Sequence, residues 1–163
     1  MYIYTPMFNL IYQEMKTVYK AVMNRLQAEV QVLKWIELDT GQLKLIGNGT
    51  ELPIIYPCAL IGIRIAESMD ITDKIQNCKA SVSVDIIFDP IPFGKTSANA
   101  DDNDREQALQ PYEVIAEVYK ALQGFETINF NSLSRNSQGE EFHDKLFVYK
   151  LEFNCEFEDL TAE

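Results

Sequence analysis

The one histidine, His143, stands in the stretch EEFHDKLF, with Glu140 and Glu141 just before it and Asp144 just after. An imidazole among carboxylates is the pattern of an acid/base dyad or of a metal ligand. A zinc site wants three or four nitrogen or sulfur ligands, and one histidine with acids does not supply them. The favoured reading is a polar start to a strand, with its charges in water. If the chain instead binds a small ligand, the suspects are His143, Asp144, Glu140 and Asp85, which would have to converge in a concave pocket.

Nucleophilic chemistry needs a Ser or Cys beside a base. Cys58, Cys78 and Cys155 lie in apolar or strand-like runs, where thiols stay protonated. They are odd in number and far apart, so they make neither a disulfide framework nor a CxxC knuckle. No GxSxG, GxxxxGK or GxGxxG stretch occurs. The acid run Asp101, Asp102, Asp104 and Glu106 has the look of a calcium loop, but no Gly stands at its sixth position and no Glu at its twelfth. It reads as a solvated loop that caps the next helix. The expectation is no enzyme, with no catalytic residue, no cofactor and no metal.

The bulk numbers describe one packed globular domain. A chain of 163 residues fits one domain. Its 47% hydrophobic content is ordinary for a packed core. Fourteen Lys and Arg against 25 Asp and Glu leave a net charge of −11. Nucleic acid and membrane surfaces are polyanions that repel such a chain in the absence of a basic patch, so neither is an expected partner. The longest apolar stretch, LPIIYPCALIGI, is interrupted by two prolines and is too short to span a bilayer. The opening MYIYTPMFNL lacks the basic start and cleavage site of a signal peptide. Cytoplasm is the expected compartment.

Helical spacing runs from about Pro6 to Ala28, with Phe8, Ile11, Tyr12, Met15, Val18, Tyr19, Val22 and Leu26 on one face. VQVLKWIELD predicts a strand near 30–38, GQLKLI a second short piece, and PIIYPCALIGIRI a strand over 53–65 begun by prolines. Residues 66–77 read as a connecting loop. In KASVSVDIIFDP, Val82, Val84, Ile86 and Phe88 alternate with polar residues, as in a half-buried strand. Residues 89–109 read as a long acidic loop, and 110–123 as a second helix stopped by Gly124 and Phe125. Two strands follow, near 126–135 and 143–157, with SQGEE as the turn between them. The fold class expected is α+β, a mostly antiparallel sheet with two helices packed on one face and one domain over 1–163. On the last strand Phe147, Tyr149, Leu151, Phe153, Cys155 and Phe157 would face the helices. Val148, Lys150, Glu152 and Asn154 would face away, exposed in the monomer.

The helix 6–28, the proline-started PIIYPCALIGI, ASVSVDIIFD, the loop, the amphipathic EVIAEVYKALQGF and the closing DKLFVYKLEFNCEFED together form a layout over most of the chain. That layout resembles the tail terminator, or tail-completion, family of long-tailed bacteriophages and prophages. The resemblance implies a structural subunit that forms a ring, usually of six, on the finished end of a tail tube. The ring would meet the tube protein on one side and the head connector on the other. It implies assembly in the cytoplasm of a bacterial host and residence in the virion tail. It carries no catalytic motif. Expected contact residues are Phe93, Arg135, Lys150 and Glu152, with mobile loops at 66–77, 89–109 and 134–142. The alternatives are a small-ligand or protein-binding α+β module, or an unrecognised enzyme, of bacterial origin.

Overall fold

The computed structural model describes residues 14–162, so the part of the expected first helix before Glu14 lies outside the described residues. Three helices and five strands follow in the order α1 (Glu14–Glu29), β1 (Trp35–Leu38), α2 (Gln42–Gly47), β2 (Cys58–Asp70), β3 (Gln76–Phe88), α3 (Asp102–Leu122), β4 (Ser134–Glu141) and β5 (Phe147–Asp159). The strands form one sheet in the order β1-β2-β3-β5-β4. The architecture is α+β. The sheet is mixed, because β1 runs parallel to β2 while the other three pairings are antiparallel.

The core lies between one sheet face and the two long helices. Val18, Val22 and Leu26 recur every fourth residue on α1, and Ile115, Val118 and Leu122 do the same work on α3. Against them stand Val82, Val84 and Ile86 of β3 and the alternate residues Leu151, Phe153, Cys155 and Phe157 of β5. The period-2 pattern of β5 therefore points its apolar side at the helices. Its other side is not wholly exposed. Val148 is buried in a second cluster with Cys58, Leu60 and Ile87, packed by Trp35, Leu43, Ile54, Tyr56 and Leu146.

That second cluster corrects the reading of GQLKLI. The stretch is the short helix α2, entered through Gly41 at φ 94°. Such a left-handed backbone suits only glycine without strain. Asp39 Oδ1 accepts from Gly41 N, and the buried Gln42 bridges Thr40 N and Leu38 O. Leu43 then packs into the second cluster. A strand there would have put Leu43 and Leu45 on one side; Leu45 is exposed.

Further boundaries differ. The strand expected near 30–38 is only Trp35–Leu38, and the one expected over 53–65 begins at Cys58, after the prolines. Residues 66–77 are no connecting loop: β2 runs to Asp70 and β3 begins at Gln76, as one long hairpin. The outer part of β2 has no helix over it and is exposed on both sides, so selection for alternation is lost. A bulge between Ile65 and Glu67 adds a shift of register. The helix expected from Gln110 begins at Asp102, with Pro111 inside it. Asp101 caps it by accepting from Asn103 N, and Asp102 and Asp104 favour the positive end of the helix dipole. Arg105 reaches back to the carbonyls of Ser97, Ala98 and Ala100 and ties down the preceding loop. Finally, SQGEE is not a turn but most of β4, paired with β5, and the turn is 142–146. Most of 126–135 is not strand; Thr127 and Phe130 make an isolated bridge, and Phe130 and Leu133 are buried in the core. The expected stop does form: Gly124 has φ 77°, and Phe125 packs edge-on to Phe130.

Candidate functional site

The sheet leaves three kinds of surface for contact: its two edges, its two ends, and the face opposite the long helices. At the edges lie β1, a four-residue strand, and β4, whose sequence SRNSQGEE has no apolar residue. An edge strand of this composition, bulged between Arg135 and Ser137, is a poor template for stray pairing.

At one end of the sheet β3 leaves at Phe88, β5 enters at Phe147 and the 142–146 turn lies between β4 and β5. Two phenylalanines stand out from that end, Phe93 at 106% and Phe142 at 94% relative exposure. Phe93 lines a groove of about 690 Å³ with Pro90, Ile91, Leu109, Tyr112 and Phe147, and with Glu140 at its rim. At the opposite end Ile128 is fully exposed, beside Phe130, Leu160, Glu126, Glu156 and Glu158. The 13 residues of β3 separate these ends by roughly 40 Å. Phe142 and Ile128 were not singled out from the sequence. The available signal was an apolar residue flanked by polar ones in a turn, as Phe142 in EEFHD and Ile128 in ETIN.

On the open face, Lys150 Nζ pairs with Glu141 at 2.7 Å and lies 3.6 Å from Asp85 Oδ1. Asp85 is buried and that oxygen has no hydrogen-bond partner. Burial, opposed by Lys150 and assisted by Glu141 and Asp39, pushes its carboxyl up to about 6. Burial works to lower the Lys150 pKa, but the hydrogen bond to Glu141 and the charges of Asp85 and Glu141 together raise it. Next along the strands, Glu152 accepts from Ser137 Oγ at 2.8 Å.

The expected contact residues are thus dispersed. Phe93 is at one end, while Lys150 and Glu152 share the open face. Arg135 is exposed on the helix side, but it is tethered: its guanidinium lies 3.8 Å above the Tyr119 ring and donates to Gln138. The suspects for a ligand pocket are also apart in role. Lys145 N donates to His143 Nδ1, so the proton sits on Nε2, which donates to Leu43 O at 3.1 Å. With Lys145 Nζ on Ile46 O, the histidine pins α2 to the β4–β5 turn. Its neighbour Asp144 lies 3.6 Å from Nδ1, Glu140 lines the groove, and Asp85 lies inside the sheet face.

The three thiols are buried and free. Burial, helped by nearby carboxylates, pushes Cys58 up to about 12 and Cys155 to about 11, so neither is a thiolate at neutral pH. Among the described residues no group of three or more His, Cys, Asp or Glu is placed to hold a metal ion, and no helix is long and apolar enough to cross a membrane.

No protein-family model matches the chain, and no curated protein does. Among solved structures, the chain is similar to one described as "Virion of native gene transfer agent (GTA) particle", with TM-score 0.48 and 15% identity, over 86% of this chain and 94% of that one.

Proposed function

We propose that this chain is a structural subunit of a phage-like particle. In the finer form implied by the resemblance in element layout, it is a tail terminator, whose ring closes the tail tube and meets the head connector. The observation that carries the reading is the distribution of contact surfaces. A closed ring built head to tail needs two different, complementary patches on each subunit. The sheet offers two unlike edges, the short parallel β1 and the polar, bulged β4. A ring stacked between two other components also needs contacts along its axis. Phe93 and Phe142 stand at one end of the sheet and Ile128 at the other, each fully or almost fully exposed, and these are the side chains we assign to such contacts. In this arrangement the mechanism is association alone, each subunit adding its interface to a symmetric whole.

Solution mass by light scattering over a dilution series tests it. A mass that rises toward a fixed multiple of 18.7 kDa is expected. A protein that stays at 18.7 kDa at every concentration, and that neither binds nor caps purified tail tubes, would overturn the reading.

A further inference from the structure

Asp85 is the one charged side chain buried in the sheet among the described residues. It sits on β3 in register with Leu60 of β2 on one side and Lys150 of β5 on the other. The charges that bear on it are Lys150 from β5, Glu141 from β4 and Asp39 from the turn before α2. Lys150 stands between the two carboxylates. It is within hydrogen-bond distance of Glu141, at 2.7 Å, and beyond it from Asp85, at 3.6 Å. One ammonium therefore serves two acids, one buried in the sheet and one on the exposed edge strand.

We propose that Asp85, Lys150 and Glu141 form a proton-controlled brace between the centre of the sheet and its edge strand β4. When Asp85 is charged, its unpartnered oxygen attracts Lys150 inward, in competition with Glu141. When Asp85 takes up a proton that attraction ends, and Lys150 is left to Glu141 alone. The hold on the end of β4 is then stronger in the protonated state. The burial-raised carboxyl, at about 6, places the change within reach of ordinary variations in pH. This inference rests on the sheet itself and stands whether or not the chain forms a ring.

The test is a carbon-13 NMR titration of the side-chain carboxyls, with the Asp85 signal assigned by its loss in Asp85→Asn. The Asp85 signal should titrate near pH 6. Lys150→Met should move it upward by about one unit, as loss of an adjacent opposite charge does. Glu141→Gln, the milder change, should move it downward. Amide exchange on β4 between Gly139 and Glu141, corrected for intrinsic rates, should be slower below the transition than above it, and Asp85→Asn should abolish the difference. An Asp85 signal that titrates near pH 4, one that neither variant moves, or β4 exchange that ignores the transition would overturn the proposal. Should Lys150→Met fail to fold, Glu141→Gln carries the same test.

Discussion

Gly62 on β2 faces Ser83 on β3 so closely that a Cβ at position 62 would lie 2.5 Å from Ser83 Oγ and 3.9 Å from Ser83 Cβ. The clash is with the hydroxyl alone. Gly62→Ala should therefore destabilise the fold, by about 1 kcal/mol, the low end of the range for overpacking because a serine can rotate. Ser83→Ala should be nearly silent alone and should restore most of the loss in the double variant. Urea unfolding of the four proteins in the cycle checks this; an additive double variant would place the strain in the backbone instead.

His143 belongs to the scaffold. Replacing it by Ala removes the bond to Leu43 O and leaves that helix end without its pin. The expected cost is about 1–2 kcal/mol in thermal or chemical unfolding. Oligomer mass and partner binding should persist for the molecules that remain folded. Loss of a bound ligand with no loss of stability would point to the pocket reading.

Phe93→Asp and Ile128→Asp change side chains that are fully exposed and touch the surface only. Each should leave the melting temperature within the ordinary scatter for surface changes, about 0.5 kcal/mol in stability. Each should weaken binding to one neighbour along the axis. If the two ends meet different components, Phe93→Asp and Ile128→Asp should fail with different partners. Unchanged binding to purified tube and connector for both would remove these residues from the interface.

Asp85 also makes stability depend on pH, with a definite sign. Its folded pKa, about 6, lies above the ordinary 3.8, so the folded protein holds more protons than the unfolded chain between those values. Stability contributed by this group is present in full below the unfolded value, falls as pH rises through that window, and is gone above the folded value. The span corresponds to roughly 3 kcal/mol. Asp85→Asn should remove this slope, so that relative to the wild type the variant gains between pH 4.5 and 7.5. Thermal melts of both proteins at those two pH values are the check. A variant that loses stability at pH 7.5 would mean that attraction to Lys150 outweighs the cost of burial.

The parts of the fold that sequence revealed are those where one side of an element is buried and the other wet. The alternation of β5 and the fourfold spacing of α1 are of this kind; the stop at Gly124 is legible for another reason, a left-handed backbone at φ 77° that suits glycine. Where burial has no such contrast, the signal fails. The outer half of β2 is exposed on both sides, and β4 has no apolar residue at all, so both read as loops. Pro111 gives the local signal of a helix start, yet it lies within α3. The exposure of Phe93 is in keeping with its place in the proline-rich stretch DPIPFG. The isolation of Asp85 was not legible, since in sequence it is merely one of the polar residues alternating along its strand; only the fold places Lys150 and Glu141 beside it.

The burial of Cys58, Cys78 and Cys155 has a practical side. Native protein should be almost inert to maleimides and other alkylating dyes, because every cysteine of the sequence is enclosed. A single thiol introduced by Ile128→Cys would then be the one that reacts. The chain thus supplies its own dark background for attaching a fluorophore or spin label at a chosen end. Distances between labels in neighbouring copies could be read without first removing a native residue.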